Sequence, residues 1–362
     1  MPKITASHEF AMEIYRDVEP VDASQLLVQQ ELTAIDWQPA LECAWWEAIR
    51  QRARRPLILD VPGGTVDPVW HAVLGRPYVE GFEVGLSVGG RDASRLTVPL
   101  AYVSPAAVSA SQALVSAGSL ANGDTVRYRV RATARAAARA AAAVPPPAVA
   151  GFSVDVVPEE APVRLASLAA YLAGGEYRSG DRGASVEGDM PVFVPRAVLE
   201  EVTGLTRDTC SAETGGILIG NICLDERRGE LFVEVTAQIA AAHAEEELTR
   251  LTFTPATWSA VDAARRLRNR GELYVGWWHS HPARQWCATC PEEKRAKCRA
   301  TGEFFSAHDI ALHRCCFPRA YSVALVISDA TATGLTSALF GWRAGLVVRR
   351  GFHLVDGGLS AR

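Results

Sequence analysis

The stretch LYVGWWHSHP, Leu273 to Pro282, decides how this chain is read. An apolar run ends in two histidines one residue apart and is then stopped by proline. Along a strand the side chains alternate faces, so His279 and His281 share one side while Ser280 points to the other. Two imidazoles on one face at a strand end make half of a metal site.

Outward from this strand the pattern alternates between helices and strands. VFVPRAVLEEVTGL places Val198, Leu199, Val202 and Leu205 at helical spacing, with Pro195 suited to a first turn. GGILIGN and ELFVEVTAQIA follow as strands. LTFTPATWSAVDAARRLRNRG predicts a short strand, a cap at Thr254, Pro255 in the first turn and a helix closed by Gly271. After LYVGWWHSHP come a helix from Ser306 and the strands YSVALVIS and TSALFGW. This order predicts an α/β sandwich.

A catalytic zinc takes three protein ligands and keeps one position for water. His279 and His281 supply two. FFSAHDIALH offers Asp309 as the third, with Ser306 three residues before it. A further group must take a proton from water, and Glu213 in SAETGGILIG, beside Gly215 and Gly216, is the candidate. Those glycines let another backbone pass close. Each element also has a plain structural reading. Ser306-x-x-Asp309 is a capping-box variant, Glu213 is an acid placed for solvation, and a histidine on a strand can be a satisfied core residue.

Taken together, Glu213, His-Ser-His-Pro at a strand end and Ser-x-x-Asp opening a helix resemble the JAMM motif of the JAB/MPN metalloprotease family. The resemblance covers Asp189 to the C-terminus, about half of the chain. It implies a cytidine-deaminase-like JAB/MPN sandwich at residues 189–362. It also implies zinc on His279, His281 and Asp309, with Glu213 as the base for its water, Ser306 as donor to the oxyanion, and Ser280 and Pro282 in support. The implied substrate bond is a peptide or isopeptide after the C-terminal tail of a ubiquitin-like protein. The alanine- and arginine-rich composition has a bacterial character. The whole is similar to JAB peptidases of bacterial ubiquitin-like conjugation systems, some tied to phage defence, whose activating and conjugating enzymes would be partners. Two other readings stay open: a scaffold for the conjugation enzymes with a vestigial site, and a peptidase acting on a sulfur-carrier protein.

The chain departs from that family in an insertion, Ala283 to Phe305, between the proline and the serine. It carries Cys287, Cys290 and Cys298. With Cys315 or Cys316 they offer a four-ligand structural zinc site, a second metal beside the catalytic one. A redox pair and ordinary loop cysteines are the alternatives.

The first half reads differently. PLILDV, FEVGLSV, RLTVPLAYV and DTVRYRV predict strands, and Ser104 to Gly118 a helix, in an α+β module preceded by a helical portion with Trp37, Trp45 and Trp46 in its core. This recognition or scaffold module spans residues 1–131. Ala132 to Gly151, with Pro145 to Pro147 at its centre, reads as a linker, and residues 152–188 as a connecting segment. The module would hold the modifier or its carrier.

Composition bounds the rest. Hydrophobic residues make up 48% and charged residues 22% of 362, and the formal net charge is −4. That is globular composition with no basic footprint for nucleic acid or an anionic membrane. The arginine run at Arg50 to Arg55 reads as a solvated helix end. No stretch reaches the ~20 apolar residues of a membrane span, and the N-terminus lacks a secretory pattern. The expected compartment is the cytoplasm, where thiols stay reduced.

Overall fold

Two units divide the chain: Met1–Ala48 with Pro56–Ala161, and Ile49–Arg55 with Pro162–Arg362. The structure, a computed structural model, describes residues 4–18, 23–51, 63–71, 77–88, 91–135, 162–178, 188–209, 212–242, 245–247, 250–295, 303–331 and 334–356. Both units are mixed α/β, with more strand than helix.

The first unit runs β1 (Ile4–Ala6), β2 (His8–Arg16), β3 (Leu26–Glu31), α1 (Gln38–Gln51), β4 (Gly64–His71), β5 (Tyr78–Val88), β6 (Arg91–Pro99), α2 (Ser104–Ser116) and β7 (Val126–Ala134). Its sheet order is β1-β4-β5-β7-β2-β3, with β6 on β5. Much of the stretch expected as a helical portion is instead the three strands β1 to β3, with a short 3-10 turn at Ala23–Gln25 and the helix α1. Alternation in HEFAMEIYR carries β2, whose Met12 and Ile14 are fully buried. Trp37 stacks on Tyr102 at 5.2 Å and meets Phe82 edge-on at 4.9 Å. With Trp45 and Trp46 it belongs to the core. PLILDV lies outside the described residues. β7 continues through Ala134, so the start of the expected linker is strand, and the rest of it from 136 on is not described.

The second unit runs β8 (Val163–Leu165), α3 (Leu168–Ala173), β9 (Gly175–Arg178), β10 (Val192–Pro195), α4 (Arg196–Asp208), β11 (Gly215–Asp225), β12 (Glu230–Ala240), β13 (Glu245–Glu247), β14 (Arg250–Thr252), α5 (Pro255–Arg268), β15 (Leu273–His281), α6 (Ala283–Trp286), α7 (Glu292–Arg295), α8 (Ala307–Cys316), β16 (Val323–Thr331), β17 (Gly334–Arg343), β18 (Leu346–Arg350) and β19 (Phe352–Val355). Ten strands form one sheet, β18-β17-β16-β15-β11-β12-β10-β19-β9, with β8 also on β11. Within the expected connecting segment 152–188, residues 163–178 supply β8, α3 and β9, with β8 paired to β11 and β9 to β19. Pro195 ends β10 and caps α4, one residue ahead of the first turn expected for it.

Two features of this sheet position the site. β15 lies in its middle, antiparallel to β11 and parallel to β16. A parallel pair needs a crossover, and α8 supplies it, so the chain returns past the C-terminal end of β15 before entering β16. Beneath lies a core of Ile217, Ile219, Trp277, Phe317, Val326 and Phe340. Among the described residues no helix is long and apolar enough to cross a membrane.

Candidate metal centre

β15 delivers the two imidazoles to one side of the sheet, as its period requires. His279 and His281 are almost wholly buried, and their Nε2 atoms approach to 3.0 Å. Asp309, in the first turn of α8, brings Oδ1 to 3.5 Å from His279 Nε2. Their ligand atoms all lie within 4.8 Å of one another. Ligands ~2.05 Å from a tetrahedral zinc stand about 3.3 Å apart, so the separations of 3.0 and 3.5 Å about His279 are close to the spacing an ion would set. A nitrogen and oxygen donor set of this kind suits zinc.

Asp309 is aimed by its own helix start. Ser306 Oγ accepts the Asp309 N–H at 3.1 Å, and Asp309 Oδ2 accepts the Ser306 N–H at 2.7 Å. This is a complete capping box with aspartate at its third position, so the plain reading of Ser-x-x-Asp holds and also places a ligand. Asp309 Oδ1 is left to face His279. Burial works against the Asp309 charge, but hydrogen bonds from His279 and Ser306 outweigh it and hold the carboxyl below its usual range. Burial, reinforced by His279, pushes the His281 imidazole down to about 3, so it stays neutral and able to ligate.

Glu213 arrives through strand register. Gly215 pairs with His279, and Thr214 and Ser280 exchange two hydrogen bonds: Thr214 N–H to Ser280 Oγ at 2.9 Å and Ser280 N–H to Thr214 O at 2.8 Å. Continuing that register sets Glu213 opposite His281. Its side chain is only 5% exposed. Burial, followed by the charge of Asp309, pushes its carboxyl up to about 8. A carboxyl at this position is a group available for proton exchange beside the three candidate ligands.

The glycines beside Glu213 make room for the chain's own strands. A Cβ on Gly215 would stand 2.4 Å from Trp278 O, and one on Gly216 2.5 Å from Ile239 O. Ser280 is the strand-to-strand clasp just described, and Pro282 precedes α6.

The insertion has two fastened ends. Arg284 N–H and its Nε–H donate to Asp329 at 2.9 Å each, and Glu303 pairs with Arg349 at 3.0 Å. Between them Cys287 is buried and Cys290 partly so, while Cys315 and Cys316 are exposed at the end of α8. Among the described residues no three of these thiols come close enough to share an ion. Cys298 lies outside those residues.

The motif also omitted several aromatic neighbours. Trp277 stacks on His279, and Trp286 and Phe304 stand against His281 with centroids at 5.0 and 4.5 Å. Period 2 along β15 places Trp277 on the histidine face, a signal present in the sequence. Trp286 and Phe304 come from opposite ends of the insertion, and nothing in their spacing marks them.

Residues 195–285 match the family model described as prokaryotic homologs of the JAB domain. That span holds Glu213, His279 and His281 and stops before Asp309, which the crossover brings in. Among solved structures the chain is similar to protein DSY2949 from Desulfitobacterium hafniense, determined in solution, at 19% identity, over 47% of this chain and 97% of that one, with a TM-score of 0.34. No curated protein sequence matches the chain. The match supports a JAB/MPN-related domain in the second unit, and the three-residue group at the end of its central strand could hold a metal ion.

Proposed function

We propose that the protein is a zinc-dependent peptidase that cleaves after the C-terminal tail of a ubiquitin-like protein, freeing it from targets or from a precursor. The convergence of His279, His281 and Asp309 beside the buried Glu213 carboxyl, inside a JAB-related domain, carries this reading. Held by the three ligands, zinc would supply Lewis acidity toward water and toward an amide carbonyl. Glu213 takes a proton from the attacking water and passes it to the leaving amine. Ser306 Oγ accepts the Asp309 N–H, and its hydroxyl would donate to the carbonyl oxygen as charge develops there.

The substrate class is the finer part of the proposal and rests on the resemblance of the motif. A flexible tail would bind as an added strand through backbone hydrogen bonds, with the first unit holding the modifier or its carrier in a bacterial conjugation pathway. The test is mass spectrometry of fusions between a ubiquitin-like protein and a C-terminal extension. Cleavage directly after the tail by the wild type, and none by Glu213→Gln, is the expected result. A zinc-loaded wild type that leaves every such fusion intact overturns the reading in favour of a scaffold.

A further inference from the structure

Metal-binding histidines almost always donate their second ring nitrogen to a carboxylate, carbonyl or water, which fixes the ring. At this site, among the described residues, the Nδ1 atoms of both His279 and His281 are buried without a hydrogen-bond partner. What touches the His279 ring instead is an indole. Trp277 lies face to face with it, centroids 4.6 Å apart and planes 15° apart.

We propose that Trp277 is the positioning residue for His279, and that His313 keeps Trp277 in place for that task. The proposal rests on metal binding at His279. Trp277 has three constraints. One face carries His279, the ring of Phe317 lies parallel to it at 6.3 Å and 9°, and its indole N–H donates to His313 Nδ1 at 3.1 Å. An indole N–H only donates, so His313 must present Nδ1 as an acceptor and carry its proton on Nε2. His313 is fully buried, and burial holds it neutral.

His313 is itself fixed. Trp342 packs on it at 5.3 Å and donates its own N–H to Phe317 O at 2.9 Å. His313 Nε2 has no partner among the described residues, so burying this imidazole carries a cost that a leucine would avoid. The gain is a correctly turned Trp277. His313 also sits one helical turn beyond Asp309 on α8, so one helix aims one ligand directly and a second through the indole. A metal-bound imidazole is electron-poor, and an indole face is the aromatic surface that best stabilises positive charge. Stacking therefore fixes the ring and favours the loaded state over the empty one.

The test uses the full-length, metal-free protein, titrated with zinc against a chromophoric chelator and with cobalt for its ligand-field bands. Trp277→Leu should weaken zinc by about 10- to 100-fold, the range seen when outer-shell partners of a ligand are removed, and should shift the cobalt bands. Trp277→Phe, which can still stack but has no N–H for His313, should fall between wild type and Trp277→Leu. His313→Leu should weaken zinc in the same direction, and His313→Gln, which can still accept the indole N–H, should restore it. Wild-type zinc affinity in a folded Trp277→Leu overturns the proposal. If that variant fails to fold, equal zinc affinities for His313→Leu and His313→Gln overturn it. A wild type that binds zinc tightly yet cleaves no ubiquitin-like fusion sinks the peptidase reading and leaves this one standing. A wild type that binds no zinc sinks both.

Discussion

Ser306 and Asp309 exchange two hydrogen bonds, one in each direction, across the first turn of α8. Helix capping and ligand placement are therefore one event, because the oxygen of Asp309 left outside the box is the one that faces His279. Ser306→Ala should lower the stability of the metal-free protein by ~1 kcal/mol, the usual worth of such a cap, and should weaken zinc as well. Ser306→Asn restores a good cap without a hydroxyl, so denaturant midpoints should recover while cleavage stays low. Full recovery of cleavage would remove Ser306 from the oxyanion role.

Glu213 should separate proton transfer from metal binding. Glu213→Gln should keep zinc and lose at least ~100-fold in turnover, whereas Asp309→Ala should lose the metal. Zinc content by elemental analysis, set beside single-turnover cleavage, distinguishes the two.

The same carboxyl gives the metal-free protein a pH signature. Its folded pKa, about 8, lies above the ordinary glutamate value, so the folded state binds a proton more tightly than the unfolded chain. The stability it contributes is complete below the unfolded value and is lost as pH rises through the folded one, at no more than about 1.4 kcal/mol per unit. Subtracting the Glu213→Gln profile from that of wild type isolates the effect, because the buried histidines contribute equally to both. A difference that stays flat between pH 5 and 8 would refute the assigned environment.

Gly215 should tolerate no side chain. A methyl there meets Trp278 O and Leu251 Cδ2 at 2.4 Å each, and overpacking of this kind costs ~1–3 kcal/mol. The register that sets Glu213 opposite His281 would open with it, so Gly215→Ala should lose both stability and metal affinity. Gly204 on α4 has nothing within 4 Å of its absent Cβ. Gly204→Ala should therefore raise stability by ~0.5–1 kcal/mol, which makes it the matched control by thermal melting.

Glu272, 1% exposed, accepts two hydrogen bonds from Arg268 at 2.8 Å each and one from Thr236 Oγ1 at 2.5 Å. The Arg268 bonds hold its carboxyl below the usual range. The sign is the reverse of that for Glu213: this stability is present above the unfolded pKa and is lost as pH falls through the folded one. Arg268→Ala leaves a buried carboxylate unpaired and should cost ~3 kcal/mol at pH 7, less in acid, by urea titration.

What could be read without coordinates follows from local period and local caps. His279 and His281 share a face because a strand alternates, and Thr254 caps α5 by accepting the Thr257 N–H. β8 and β9, VRL and GEYR, are three and four residues long, too short for alternation to register, and exist only because β11 and β19 offer them edges. β1 to β3 stand where a helical portion is expected, although HEFAMEIYR alternates and β2 buries Met12 and Ile14 on one face. The bond between Trp277 and His313 joins positions 36 apart, one on a strand and one on a helix. No spacing rule reaches across such a contact.

The crossover through α8 has a consequence for chain connectivity. The histidines leave β15 on one side of the insertion and Asp309 enters α8 on the other, yet both ends are clamped: Arg284 to Asp329, Glu303 to Arg349. Loop-closure entropy grows only with the logarithm of length, about 0.6 kcal/mol per doubling. The segment between the clamps can therefore lengthen or shorten at little thermodynamic cost while the ligands keep their spacing. Replacing residues 288–302 by a short Gly-Ser stretch should leave zinc affinity nearly unchanged. The sequence of the segment can thus change independently of the spacing of the three candidate ligands.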